Sequence, residues 1–184
     1  METTAVEVTM AAPVTWSKDC KTVTPSIMGV TVLLNKLQII EKGGKKMRLI
    51  TLIILHCTAV TPFQTSSVEQ INEWHLARGW ANGCGYHYVI RRDGTIEKGR
   101  PDEMIGAHCL NHNKHSIGVA YEGGLNEKSE ARDTRTEAQK KSMLNLLTEL
   151  KKQHPHALIV GHNVFSNKEC PCFDAAAEYK DLQP

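Results

Sequence analysis

Residues 49–56 read Leu-Ile-Thr-Leu-Ile-Ile-Leu-His. The run is short, rich in isoleucine and lacks polar alternation, as expected of a central strand buried on both faces. Such a strand calls for helices on both sides of its sheet, and the chain downstream supplies them. Ser66 or Ser67 can cap a helix running to about Arg78, with Gly79 as its stop. Val68, Ile71, Trp74 and His75 share one face of it. Residues 85–92 (GYHYVIRR) read as a strand, Asp93-Gly94 as a hairpin turn and residues 95–98 as the returning strand. A loop rich in His and Asn covers 106–115, residues 116–121 (SIGVAY) read as another inner strand, and Gly123-Gly124 ends it. Thr136 and Gln139 have capping-box spacing and open a helix to about Gln153, with Met143, Leu146, Leu147 and Leu150 on its apolar face. Residues 157–160 make a last strand, and a short helix starts near Ala175. The expected fold class is α/β: a single domain with a central mixed β-sheet flanked by helices on both faces, over residues 47–182.

Working outward, residues 1–46 differ from this orderly region. They are rich in Thr, Val, Ser and Pro at first, then apolar from Ile27 to Ile40, then Glu-Lys-Gly-Gly-Lys-Lys before Met47. The codons for Glu, Lys and Gly are purine-rich, like a bacterial ribosome-binding site. Residues 1–46 are therefore expected to be an N-terminal extension, unstructured or not natively translated, with Met47 as the natural start; a real N-terminal arm is the rival. No signal-peptide order of basic, apolar and small-residue regions is present, so cytoplasmic synthesis is expected.

The 184 residues suffice for one core. Apolar residues at 41% and charged residues at 23% fit a globular domain and argue against disorder or a fibrous chain. The net charge is only +2, and residues 47–184 hold sixteen basic and sixteen acidic side chains. No general electrostatic reason exists to expect nucleic-acid binding. No apolar stretch is long enough for membrane insertion. The six cysteines lack the layout of a secreted disulfide framework and read as thiols or metal ligands.

The chemistry-bearing residues cluster where inner strands end, the usual place for sites in open α/β sheets. His56 ends the first strand, His162 follows the last, and Cys170 lies eight residues further on. Two imidazoles and a thiolate form a known catalytic zinc set with a fourth tetrahedral position open to water. Each also has an ordinary reading: a strand-end imidazole bonded to backbone, a loop-capping histidine and a small buried thiol.

The stretches Ile54-Leu-His-Cys-Thr-Ala, residues 85–100 (GYHYVIRRDGTIEKGR), Gly106-Ala-His, residues 113–119 (NKHSIGV) and residues 161–174 (GHNVFSNKECPCFD) resemble the zinc-dependent N-acetylmuramoyl-L-alanine amidase family. The likeness is nearest to the small lysozyme-type amidases of phages, and more distant to peptidoglycan-recognition proteins. It runs from about Met47 to Asp181 and leaves residues 1–46 uncovered. It implies zinc ligands at His56, His162 and Cys170, one Zn2+ per chain, a catalytic tyrosine at Tyr86 and a catalytic lysine at Lys168. It also implies hydrolysis of the amide between N-acetylmuramic acid and L-alanine in peptidoglycan or muropeptide. A metal-activated water suits that reaction, and a lysine ammonium suits the oxyanion that develops. A glycosidase would want paired carboxylates, and Glu122 has no obvious partner.

Weaker expectations attach to other residues. His108 and Thr58 are expected to contact substrate. Asn113 and Ser116 are expected to fix loop geometry, and His87 to be structural on the sheet face opposite Tyr86. Trp74 and His75 are expected to pack. The family usually has a small residue where this chain has Cys172, a thiol that could compete for zinc; Cys170 is the expected ligand. Asp174 reads as a second contact to the site or a helix cap. The expected role is that of a phage or prophage endolysin, a monomer acting on the cell wall after holin-type release. The alternatives on the same fold are a non-catalytic muropeptide-binding protein and a polymerase-regulating protein.

Overall fold

The structure is a computed structural model and describes residues 39–42 and 45–184. Most of the expected N-terminal extension lies outside the described residues. β1 (Ile39–Lys42) and β2 (Lys45–Arg48) pair antiparallel as a two-stranded sheet. The main sheet contains β3 (Leu52–Cys57), β4 (Tyr88–Ile90), β5 (Ile96–Lys98), β6 (Ser116–Tyr121) and β7 (Leu158–Gly161). Its order is β5-β4-β6-β3-β7. β3 runs parallel to both β6 and β7, β4 runs parallel to β6, and β5 is antiparallel to β4. The sheet is therefore mixed, with the isoleucine-rich strand next to its centre.

Helices α1 (Val68–Ala77), α2 (Glu137–Gln153) and α3 (Ala175–Glu178) complete the elements that matter here. Alternation along the strands sorts the two faces. Ile53, Leu55, Ile90, Ile117, Val119 and Ile159 pack against Met143, Leu147 and Leu150 of α2 and Ala175 of α3. On the other face Val89 packs with Ile71 of α1 and Cys84, and Ile54 packs with Val160 and Cys109. Helices thus cover both faces, as the opening strand required.

Both capping boxes form. Ser67, not Ser66, caps α1 and exchanges hydrogen bonds with Gln70; Thr136 and Gln139 do the same for α2. Gly79 follows α1 with φ +82°, a conformation that glycine adopts without strain. Trp74 departs from expectation. It is 40% exposed, while Ile71 and His75 carry the buried stripe. The strand edges also move by one to three residues: β3 starts at Leu52 and ends at Cys57, and β7 ends at Gly161.

Glu122, just beyond β6, ties several elements together. One carboxylate oxygen accepts the Ser66 amide at 2.8 Å, and the other accepts Arg91 Nε at 3.0 Å and the Arg92 amide at 3.1 Å. The carboxylate is 2% exposed and fully engaged, so it offers no free acid. Among the described residues no helix is long and apolar enough to cross a membrane.

Candidate metal centre

Parallel pairing places the ends of β3 and β7 side by side, with Leu55 opposite Gly161. The residue that follows each of these two is a histidine, His56 within β3 and His162 just beyond β7. Leu55 enters the core beneath α2, so His56 points to the opposite face. The His56 ring is nearly fully buried and lies 4.6 Å from the His162 ring, centre to centre. His162 opens a short 3-10 turn directly after β7. Its loop returns so that the Asn163 amide donates to the Cys170 carbonyl at 2.7 Å. That return brings Cys170 Sγ to 3.8 Å from His56 Nδ1. His56, His162 and Cys170 each offer a ligand atom within 4.8 Å of the others.

The donor set fits zinc. Bonds of about 2.0 Å to nitrogen and 2.3 Å to sulfur at a tetrahedral angle imply an N···S separation of roughly 3.5 Å. The 3.8 Å found is close to it. The protonation states fit as well. Burial holds His56 well below the usual histidine range, and the charges of His108, His162 and Lys168 add to this. Burial and then Lys168 lower His162. Hydrogen bonding from Cys57 lowers the Cys170 thiol and outweighs the opposing effect of burial. The Cys57 amide donates to Cys170 Sγ at 3.2 Å. Neutral imidazoles and a stabilised thiolate are the forms that ligate a metal.

Cys172 does not join the set. Its Sγ lies 3.4 Å from the Gly124 carbonyl and 3.9 Å from Cys57 Sγ, on the core side of the strand ends. Asp174 caps α3, accepting the Ala177 amide at 3.0 Å. It contributes to the helix and makes no hydrogen bond to His56, His162 or Cys170.

The Tyr86 ring is half-buried and 5.2 Å from the His56 ring. Burial pushes its hydroxyl above the ordinary tyrosine range. Lys168 is exposed on the loop before Cys170, and its positive charge reaches all three candidate ligands. The two residues expected to contact substrate are engaged by the protein itself. Thr58 Oγ1 shares a 2.7 Å hydrogen bond with Ser66 Oγ and accepts the Gly123 amide at 3.2 Å. His108 places Nδ1 at 3.0 Å from His56 Nε2 and Nε2 at 3.3 Å from Ser116 Oγ.

Asn113 fixes the loop as expected, its side-chain oxygen accepting the His108 and Cys109 amides. His87 is structural: Nδ1 accepts the Gly118 amide and Nε2 meets the Met104 carbonyl. It nevertheless lies 5.6 Å from the His108 ring, as Tyr86 does at 6.4 Å, so both residues reach the same side of the site. Cys57 was missed as a functional neighbour. Its place immediately after a candidate ligand on an inner strand was the available signal.

The family model described as N-acetylmuramoyl-L-alanine amidase matches residues 45–173. The endolysin of Klebsiella phage KP32 is 38% identical over 122 residues, which cover 66% of this chain and 80% of the phage protein. The solved structure of N-acetylmuramoyl-L-alanine amidase LysC from Clostridium intestinale URNW is 30% identical, with a TM-score of 0.60, covering 72% of this chain and 82% of that one. Drosophila PGRP-LB is 25% identical, also with a TM-score of 0.60, covering 72% of this chain and 80% of its own.

Proposed function

The chain belongs to the N-acetylmuramoyl-L-alanine amidase family, and from that premise we propose that it is an endolysin-type peptidoglycan hydrolase. It cleaves the amide between the lactyl group of N-acetylmuramic acid and the L-alanine of the stem peptide. The observation that carries this reading is the convergence of His56, His162 and Cys170 at the ends of β3 and β7. These three side chains would hold one Zn2+, and residues 47–182 are the catalytic domain. Zinc supplies Lewis acidity and makes water a competent nucleophile near neutral pH.

The rest of the mechanism belongs to the chain's own side chains. The Lys168 ammonium stabilises the negative charge that develops on the amide oxygen. Tyr86, across from His56, orients the attacking water and helps its proton move. Muropeptide enters at the ends of β3 and β7, where His56 and His162 lie. The protein acts as a monomer on the cell wall, reaching it with the help of a holin.

Full-length protein is incubated with insoluble peptidoglycan, and newly freed L-alanine amines and new reducing sugar ends are counted. Alanine amines without reducing ends, abolished by a chelator and restored by zinc, are expected. Zinc and muropeptide binding without any release would overturn the enzyme and leave a recognition or regulatory role.

A further inference from the structure

His108 stands outside the ligand set, yet much of the local fold is arranged around its ring. Ser116 Oγ donates to the His112 carbonyl at 2.8 Å, so its proton is committed. Toward His108 Nε2, at 3.3 Å, Ser116 can therefore only accept. His108 Nε2 then carries the hydrogen and Nδ1 carries the lone pair. That lone pair accepts from His56 Nε2, 3.0 Å away. His56 is left with its own Nδ1 lone pair directed toward Cys170 Sγ. A chain of committed donors thus selects the tautomer of a ring two steps away.

The ring that relays this choice sits in a slot. A Cβ on Gly118 would fall 2.5 Å from His108 Cγ and Cδ2, and one on Gly106 would fall 2.5 Å from Cδ2. Gly118 lies inside an inner strand, where glycine weakens the strand and marks a close approach. Asn113 fixes the backbone at His108 and Cys109. The His87 ring closes another side at 5.6 Å.

The geometry points to His108 as a positioning residue: bound to Ser116 and seated over Gly118, it holds His56 in the tautomer whose Nδ1 can ligate the metal. This rests on the reading of His56 as a zinc ligand. It replaces the expectation that His108 contacts substrate, since neither of its ring nitrogens is left for one. Hydrogen-bond partners behind metal-bound histidines commonly fix ring orientation in this way.

The test uses full-length protein stripped of metal. Zinc affinity is measured by competition with a chromophoric chelator, and the His56 tautomer is read by long-range 1H–15N correlation on labelled protein. Wild type should show His56 protonated at Nε2. His108→Ala should weaken zinc binding by about 10- to 100-fold and release the tautomer preference. Ser116→Ala should shift both in the same direction by less. His108→Asn, which keeps an acceptor at the Nδ1 position, should restore affinity. Wild-type His56 protonated at Nδ1 would overturn the inference without any variant having to fold. Unchanged zinc affinity in His108→Ala with a raised KM would overturn it in favour of substrate contact. Wild type that frees alanine amines but binds no zinc would remove the metal reading, and this inference with it.

Discussion

Cys170 and Cys172 are two residues apart and face different surroundings. Cys170 Sγ receives the Cys57 amide and faces His56. Cys172 turns to the Gly124 carbonyl. Its hydrogen bond with Cys57 and its burial push its thiol up, whereas Cys170 is lowered. Cys170→Ser is therefore expected to lose bound zinc, and Cys172→Ser to keep about one ion per chain by elemental analysis. Zinc loss in Cys172→Ser alone would reverse the assignment. Lys168 is exposed, and the proposed mechanism has it stabilise the charge that develops in the transition state. Lys168→Ala should lower kcat/KM by roughly 100-fold or more, with zinc content unchanged.

At the scale of elements, α2 shows how a local signal and a tertiary bond meet in one residue. The spacing of Thr136 and Gln139 is legible as a capping box. The sequence does not show that the Gln139 amide also donates to the Ile90 and Glu122 carbonyls at 3.0 Å each, fully buried. Thr136→Ala removes the cap together with the hydrogen bond that the Thr136 hydroxyl donates to the Arg92 carbonyl at 2.7 Å, and is expected to cost about 1–2 kcal/mol in denaturant unfolding. Gln139→Ala takes a donor from the buried Glu122 carbonyl and leaves the Ile90 carbonyl with the Glu122 amide alone, so it should cost more, about 2–3 kcal/mol. Equal losses would mean that the buried bonds to β4 and Glu122 contribute no more than the single Thr136 bond to Arg92. The loop 106–115 shows the complementary case. Its His- and Asn-rich composition announced chemistry, but only the tertiary fold seats the His108 ring over Gly118 with Nδ1 toward His56 and Nε2 toward Ser116.

Across the whole molecule, Glu122 links the start of α1, the end of β6 and the β4–β5 hairpin. Burial alone would raise its pKa, but hydrogen bonds from Arg91, Ser66 and Arg92 hold it below the ordinary value. Asp133 is lowered likewise against burial by Arg135, the guanidinium that also binds Glu178 of α3. A carboxylate lowered in the folded state adds stability that is fully present above its unfolded pKa. That contribution is lost as pH falls through the folded value. Unfolding free energy should therefore fall on acidification in two stages: the buried neutral histidines His56, His87 and His108 begin the loss below about pH 6.5, and these carboxylates add to it below about pH 4.5. Glu122→Gln should lower stability at pH 6 and flatten the acid limb. An acid limb of unchanged slope would refute the assignment. Metal removal acts at the same scale. A chelator should lower the thermal midpoint and zinc should restore it, because ligand bound only to the folded state stabilises by mass action.

The division between what was legible and what was not has a physical basis. Short-range patterns reflect local forces, so periodicity, capping spacing and turn residues marked the inner strands, α1, α2 and the Asp93-Gly94 turn. Residue types, together with a family resemblance, singled out His56, His162, Cys170, Tyr86 and Lys168. Bringing them together was a long-range event: His56 and Cys170 are 114 residues apart in the chain. The parallel register of β3 with β7 makes them neighbours, and pairing between distant strands leaves no local trace in either. The same holds for Thr58 and His108. Both looked free for a substrate, but Ser66, Gly123, His56 and Ser116 take up their polar atoms. Whether a polar atom is free depends on which partners the fold delivers. The chain by itself determined the elements and the candidate chemistry; the tertiary structure decided which lone pairs remain available.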